Sequence, residues 1–237
     1  MQGRHVSYFL PHRNNLTFPL TKTVSTQLLS SAGADILRVP LSACITADSL
    51  EALAERLAYE KGKGEESKYA PYIDVLPSLD NANDDSGGSL LSLPRFWDIK
   101  RLEKITDGGQ LEARILKDKR DNLDPWALAC VDSRANFLGE GGYSMTPILD
   151  MINHDSSVPT KARLDKNKGF AGEGDVLYLT SGKSYHKGDE AFISYGNLNN
   201  LDTLADYGFV TMSNPCNVES VTVRMMRREP FQGKIWY

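Results

Sequence analysis

The texture of this chain changes twice, and the change limits what it can fold into. Up to residue 45 the apolar residues suit a strand; from Leu50 they recur at helical spacing; after Gly139 short apolar runs alternate with glycine turns. Residues 34–45 (ADILRVPLSACI) predict a strand interrupted at Pro40, as at a sheet edge or strand exit. Leu50, Leu53, Ala54, Leu57 and Ala58 predict a helix, with Thr46 and Asp48 as its expected caps. A second short helix is expected over 67–76, stopped by Pro77, and a polar loop over 80–89. Pro94 opens a helix carrying Phe96, Trp97, Ile99, Leu102 and Ile105, ended by Gly108-Gly109. A charged helix over 110–122 follows. Asp124 before Pro125 reads as a cap with proline at the first helical position, starting a helix that reaches about Phe137. Strands are expected over 161–164, 175–180 and 191–194, then a short helix over 201–207, opened by Asn199-Asn200 and closed by Gly208. A helical block set inside a β domain, an α+β fold, fits this order better than alternating βαβ units.

Composition excludes several classes. With 237 residues, 41% of them hydrophobic, the chain suffices for one large domain or two small ones. A net charge of -4 argues against a nucleic-acid protein held by phosphate contacts. No apolar run reaches the ~20 residues of a membrane span. The first residues hold no continuous apolar core, so no secretory signal is expected; a plastid or mitochondrial transit peptide stays open, and the compartment is unreadable. Cys44, Cys130 and Cys216 form no CxxC pair, which argues against structural zinc and a disulfide framework. Asp150 followed by His154 and Asp155 could suggest a metal site, but no further ligand at useful spacing completes it, so no metal is expected.

Two segments hold more polar chemistry than packing requires. Residues 193–210 (ISYGNLNNLDTLADYGFV) carry two Tyr-Gly pairs, at Tyr195 and Tyr207, with Asn200 between them. Residues 147–154 (PILDMINH) carry Asp150, Asn153 and His154. Polar groups set among apolar ones must find partners on burial. Together with residues 34–50, 69–77 (YAPYIDVLP), 94–97 (PRFW), Trp126 and Ser133-Arg134, these segments resemble the SET-domain methyltransferases, in the branch of the Rubisco large-subunit lysine methyltransferase. The likeness runs from about Gly33 to Val218.

That resemblance implies a β-rich SET fold with a knot-like crossing of its C-terminal segments, split by a helical insert. Residues 1–45 then form the first part of the core, 46–137 the insert and 138–213 the second part; 214–237 begin a C-terminal substrate-binding domain. It implies S-adenosylmethionine as cofactor and a protein lysine as acceptor. Arg134, Asp150, Asn153, His154 and Tyr195 match the family's cofactor contacts, and Tyr195 and Tyr207 its substrate channel, with Tyr207 at the point of transfer. The chain departs from the pattern where a Gly-x-Gly is expected: residues 21–26 (TKTVST) hold no glycine. Three readings therefore stand: a protein-lysine methyltransferase, a SET-like protein-binding module without catalysis, and a protein-histidine methyltransferase.

Overall fold

The structure, a computed structural model, describes residues 8–9, 23–24, 31–79, 90–104, 109–117, 120–159, 161–166, 174–212 and 214–217. The expected loop over 80–89, the Gly108 helix end, most of residues 21–26 and residues 218–237 lie outside them.

Strands β1 (Tyr8–Phe9) and β2 (Thr23–Val24) pair antiparallel. β3 (Asp35–Pro40) stops at Pro40 as expected, since proline offers no N–H to extend a ladder. A 3-10 turn at Leu41–Ala43 then carries the chain into β4 (Ile45–Ala47) in a different sheet.

Helix α1 (Leu50–Gly62) is capped by Ser49, whose hydroxyl accepts from the Ala52 N–H. The expected caps are corrected: Thr46 is committed to β4, opposite Ser144, and Ser49 is the residue with extended backbone directly before the first turn. Only one turn, α2 (Ala70–Ile73), forms within 67–76. The helix expected from Pro94 is broken in two. Pro94–Phe96 is a 3-10 turn, Trp97 is extended, and Asp98 caps a new helix, α3 (Ile99–Leu102), by accepting from the Arg101 N–H. α4 spans Gln110–Lys117. α5 (Pro125–Arg134) has the expected start, with Asp124 accepting from the Ala127 N–H. It ends at Arg134 rather than Phe137, because β5 (Asn136–Phe137) leaves to pair with β6 (Tyr143–Met145).

β6 lies between β4 and β5, so the helical block leaves one sheet and returns to it. Gly142 makes the return possible: its φ is 75°, and a Cβ there would collide with the Ala47 carbonyl oxygen. Another antiparallel sheet sets β9 (Val176–Thr180) between β3 and β8 (Lys161–Asp165). One pairing is parallel: β7 (Asn153–His154) lies beside β10 (Phe192–Ile193).

Three apolar clusters hold this frame. One joins α1 to α5 through Leu53, Leu57, Ala127, Cys130 and Val131, all at most 1% exposed. Another fills the space under β7, β9 and β10 with Leu149, Ile152, Leu177, Leu179 and Ile193. The smallest, around Leu102, Leu111 and Ala205, ties α3 and α4 to the C-terminal turn.

That turn begins as α6 (Asn200–Asp202), capped by Asn199 as expected, and widens into a π-turn at Thr203–Tyr207. It closes at Gly208, in the left-handed region at φ 78°. Asn200 holds the returning chain: its amide donates to the Thr211 carbonyl, and its side-chain oxygen accepts from the Thr211 N–H and the Asn214 amide. We expect Asn200→Asp to set a carboxylate oxygen against the Thr211 carbonyl and to cost about 1–3 kcal/mol. Urea unfolding measures it, and a variant as stable as wild type contradicts this role for Asn200.

Candidate active site

The site is built where the parallel pair meets the C-terminal turn. β7 and β10 put His154 opposite Ile193, two residues before Tyr195. The Tyr195 N–H donates to His154 Nδ1 at 3.0 Å, and the Tyr195 hydroxyl donates to the Ile152 carbonyl at 2.8 Å. The π-turn brings Tyr207 to the same place, its ring centroid 4.9 Å from that of Tyr195. Phe209 lies 6.1 Å from Tyr207 and 6.0 Å from His154, closing an aromatic cluster.

On the helical side stands a buried polar network. Arg134, the last residue of α5, donates from Nη1 to the Asp150 main-chain carbonyl at 2.9 Å; the Asp150 carboxylate lies 3.6 Å from the guanidinium. The Tyr72 hydroxyl of α2 donates to Asp150 Oδ2 at 2.8 Å. The Asp150 side chain is 0% exposed, and its Oδ1 has no hydrogen-bond partner among the described residues. A 3-10 turn at Leu149–Met151 presents this carboxylate, entered through Ile148 at φ 73°. A β-branched residue in that region costs about 1–3 kcal/mol and persists only where its surroundings hold it.

The titrations follow burial. It pushes the Asp150 carboxyl up, against the pull of Arg134 and the Tyr72 hydroxyl. It raises the Tyr72 phenol well above its usual range, with the Asp150 charge adding to it. Tyr195 is raised by burial too. Tyr207 is pushed up to about 12 by burial, then by the charges of Asp206 and Asp132. All three phenols therefore keep their protons at neutral pH. Burial lowers His154, which suits an Nδ1 that accepts a hydrogen bond.

Of the six residues singled out in the sequence, five line one small cavity: Arg134, Asp150, Asn153, Tyr195 and Tyr207, together with Ser133, Met151 and Phe209. Its volume is about 30 Å³. His154 stands behind Tyr195, against its main chain, rather than in the lining. The Asn153 amide donates to Glu190 Oε1 at 2.6 Å. Sequence reasoning gave no role to Tyr72 or Glu190. A tyrosine within residues 69–77 was visible as part of the likeness, but nothing local links it to an aspartate 78 positions away. Among the described residues, no group of three or more His, Cys, Asp and Glu gathers as a metal site requires, and no helix is long and apolar enough to cross a membrane.

Comparison with known proteins agrees with the resemblance read from the sequence. No family model matches the chain. The chain is 28% identical over 188 residues to the chloroplastic Rubisco large-subunit N-methyltransferase of Nicotiana tabacum, a match covering 71% of this chain and 38% of that protein. It is equally identical, over 188 residues, to the chloroplastic fructose-bisphosphate aldolase-lysine N-methyltransferase of Arabidopsis thaliana, covering 71% of this chain and 39% of the relative. The human SET domain-containing protein 4 is 26% identical over 193 residues, covering 70% and 42%. The chain thus spans about two fifths of the length of the curated relatives it matches. Among solved structures, the SET domain of LSMT bound to lysine and AdoHcy superposes with a TM-score of 0.66 at 20% identity, over 95% of this chain and 57% of that one. Rubisco LSMT bound to AdoMet gives 0.63 at 18%, over 95% and 56%. The fold is the SET-domain fold.

His154 makes acid sensitivity measurable. Its folded pKa lies below its ordinary 6.5, so the unfolded chain takes up the proton first. The stability it contributes is fully present above pH ~6.5 and is lost as pH falls from there through the folded value. His154→Gln removes this titration, so its stability should fall less than wild type between pH 7.5 and 5.5 in urea titrations; equal losses contradict the assignment.

Proposed function

From the SET-domain fold and the tyrosine pair at its cavity, we propose that this chain is the methyl-transfer domain of an S-adenosylmethionine-dependent protein-lysine N-methyltransferase. One observation carries the reading: the Tyr195 and Tyr207 rings meet at 4.9 Å, tilted by 34°, on a cavity that Arg134 and Asp150 also line. The donor set fits the cofactor's charged end. A guanidinium suits its carboxylate, and a buried carboxylate oxygen that lacks a partner suits its ammonium group. Arg134 and Asp150 would hold that end, with Asn153 gripping through main chain and amide, Tyr195 beneath, and His154 steadying Tyr195 from behind. When bound, the cofactor supplies an electrophilic methyl carbon.

The residues of this chain do the aligning. A phenol with its pKa pushed up to about 12 is no base at neutral pH, so Tyr207 orients rather than deprotonates. Its oxygen accepts weak C–H···O contacts, each worth ~0.5–1 kcal/mol. A tenfold rate gain requires about 1.4 kcal/mol, so such contacts aim the methyl group while alignment carries most of the acceleration. Free lysine titrates near ~10.4. Apolar walls such as Met151 and Phe209 favour its neutral, nucleophilic form. Within this reading the insert spans residues 46–137 between core segments 1–45 and 138–213, and residues 214–237 begin the substrate-binding domain. The acceptor is a protein lysine, with a protein histidine as the alternative acceptor. The second reading, a binding module without catalysis, is favoured by the lack of glycine in residues 21–26.

Two measurements test these readings. Calorimetry with S-adenosylmethionine should show saturable binding, and its absence favours the module. Tyr207→Phe should lower transfer of a radiolabelled methyl group to lysate proteins by at least about tenfold, or ~1.4 kcal/mol. Cofactor affinity should stay within about threefold, under ~1 kcal/mol. Undiminished transfer removes Tyr207 from its role.

A further inference from the structure

A second cavity, of about 240 Å³, opens between the 94–96 turn, α4, the start of α5 and the π-turn. It stands apart from the methyl-transfer reading and rests on its own geometry. Arg95, Arg114 and Arg120 line it, over an apolar floor that includes Phe96, Ile115 and Leu128. Behind it lies Asp132, whose side chain is 7% exposed. One oxygen of that carboxylate, Oδ2, receives both Arg95 and Arg120, each at 2.6 Å. At Asp132 alone two guanidiniums share one carboxylate, an excess of one positive charge at that point, while Arg114 is balanced by Asp206 at 3.0 Å and Asp202 at 3.8 Å. Glu51 reaches Arg120 at 3.4 Å, but its side chain is 55% exposed and water screens it. Arg95 Nε is buried and has no hydrogen-bond partner among the described residues. The two planar groups are thus fixed by a buried anchor, a preorganised arrangement for receiving a second carboxylate.

The surroundings narrow the class of anion. Asp206 also lines the cavity, bonded to Arg114 at 3.0 Å, and Asp121 is exposed at its rim. Those charges count against any anion, and about twice as strongly against a dianion such as phosphate as against a single carboxylate. The apolar floor suits an aliphatic stem, and the volume lies below the ~300–1,000 Å³ of drug-sized pockets. We propose that this cavity binds a single carboxylate on a short aliphatic stem, the chemistry of a glutamate side chain presented by a protein. Asp206 directly precedes Tyr207, so an acid seated there rests against the turn that carries that tyrosine.

The test is titration of the folded chain with N-acetyl-glutamate-N-methylamide, followed by NMR at the Leu128 and Asp206 amides. The glutamine analogue, glutarate and inorganic phosphate serve as comparisons. The expected result is saturable binding of the blocked glutamate, at least about tenfold tighter than the glutamine analogue or phosphate, and weakened by added salt. Binding of blocked glutamate at least as tight as that of glutarate supports a protein source; tighter binding of glutarate overturns it in favour of a free acid. Arg120→Gln should weaken binding about tenfold. Arg120→Lys keeps a charge beside Asp132 and preserves the fold, yet loses the planar fork and should also weaken it. No binding by wild type, equal binding of the glutamine analogue, or unchanged binding in both variants overturns the proposal. Calorimetry with S-adenosylmethionine is unaffected by any of these outcomes, so the two readings fail separately.

Discussion

Everything at the site depends on a parallel pairing of two strands only two residues long. Asn153 faces Phe192 and His154 faces Ile193, joining segments some forty positions apart. Strands this short are not stable alone. They persist because the surrounding bonds and packing over-determine them. The Asp155 N–H reaches the Ile193 carbonyl, the Tyr195 N–H reaches His154 Nδ1, and the Tyr195 hydroxyl returns to the Ile152 carbonyl. Beneath them, Leu149, Ile152 and Ile193 share one apolar cluster with β9. This pairing sets His154 beside Tyr195, and with it one corner of the aromatic cluster.

The second constraint is electrostatic and joins the helical block to the β frame. Asp150 reaches its buried position through the left-handed Ile148 and is held there by Arg134 from α5 and Tyr72 from α2. A fully enclosed carboxylate is costly unless paired and hydrogen-bonded. A strained residue and an only partly satisfied carboxylate at one spot are what a binding site retains and a purely structural core sheds. The same block reaches the C-terminal turn through Arg114, which bonds Asp206, and through the small cluster around Ala205. The residues directly before Tyr207 are thereby fixed by elements far from them in the chain.

How much was legible depended on whether the cause was local. Asp124-Pro125 announced the start of α5, and Asn199 with Gly208 bracketed the C-terminal turn, because caps and left-handed glycines act within a few residues. Pro40 marked a strand end for the same reason. The Thr46 cap was misread because β6, the strand that claims Thr46, lies almost a hundred positions later. The end of α5 was misread because β5 pairs with that same strand. The helix from Pro94 split because Asp98 offered a local cap stronger than continued periodicity.

By itself the sequence determined the order of β, helical and β segments, the caps that start most helices, and the cluster of Asn, His and Tyr residues too polar for a core. These rest on backbone propensity and apolar spacing, which act over one or two turns. Only the tertiary structure decided that the Tyr195 and Tyr207 rings meet, that Asp150 is held between Arg134 and Tyr72, and that His154 steadies the Tyr195 main chain instead of lining the cavity. Those outcomes depend on contacts between distant segments, and such contacts are set by how the apolar clusters pack the sheets against the helices, which no local stretch encodes.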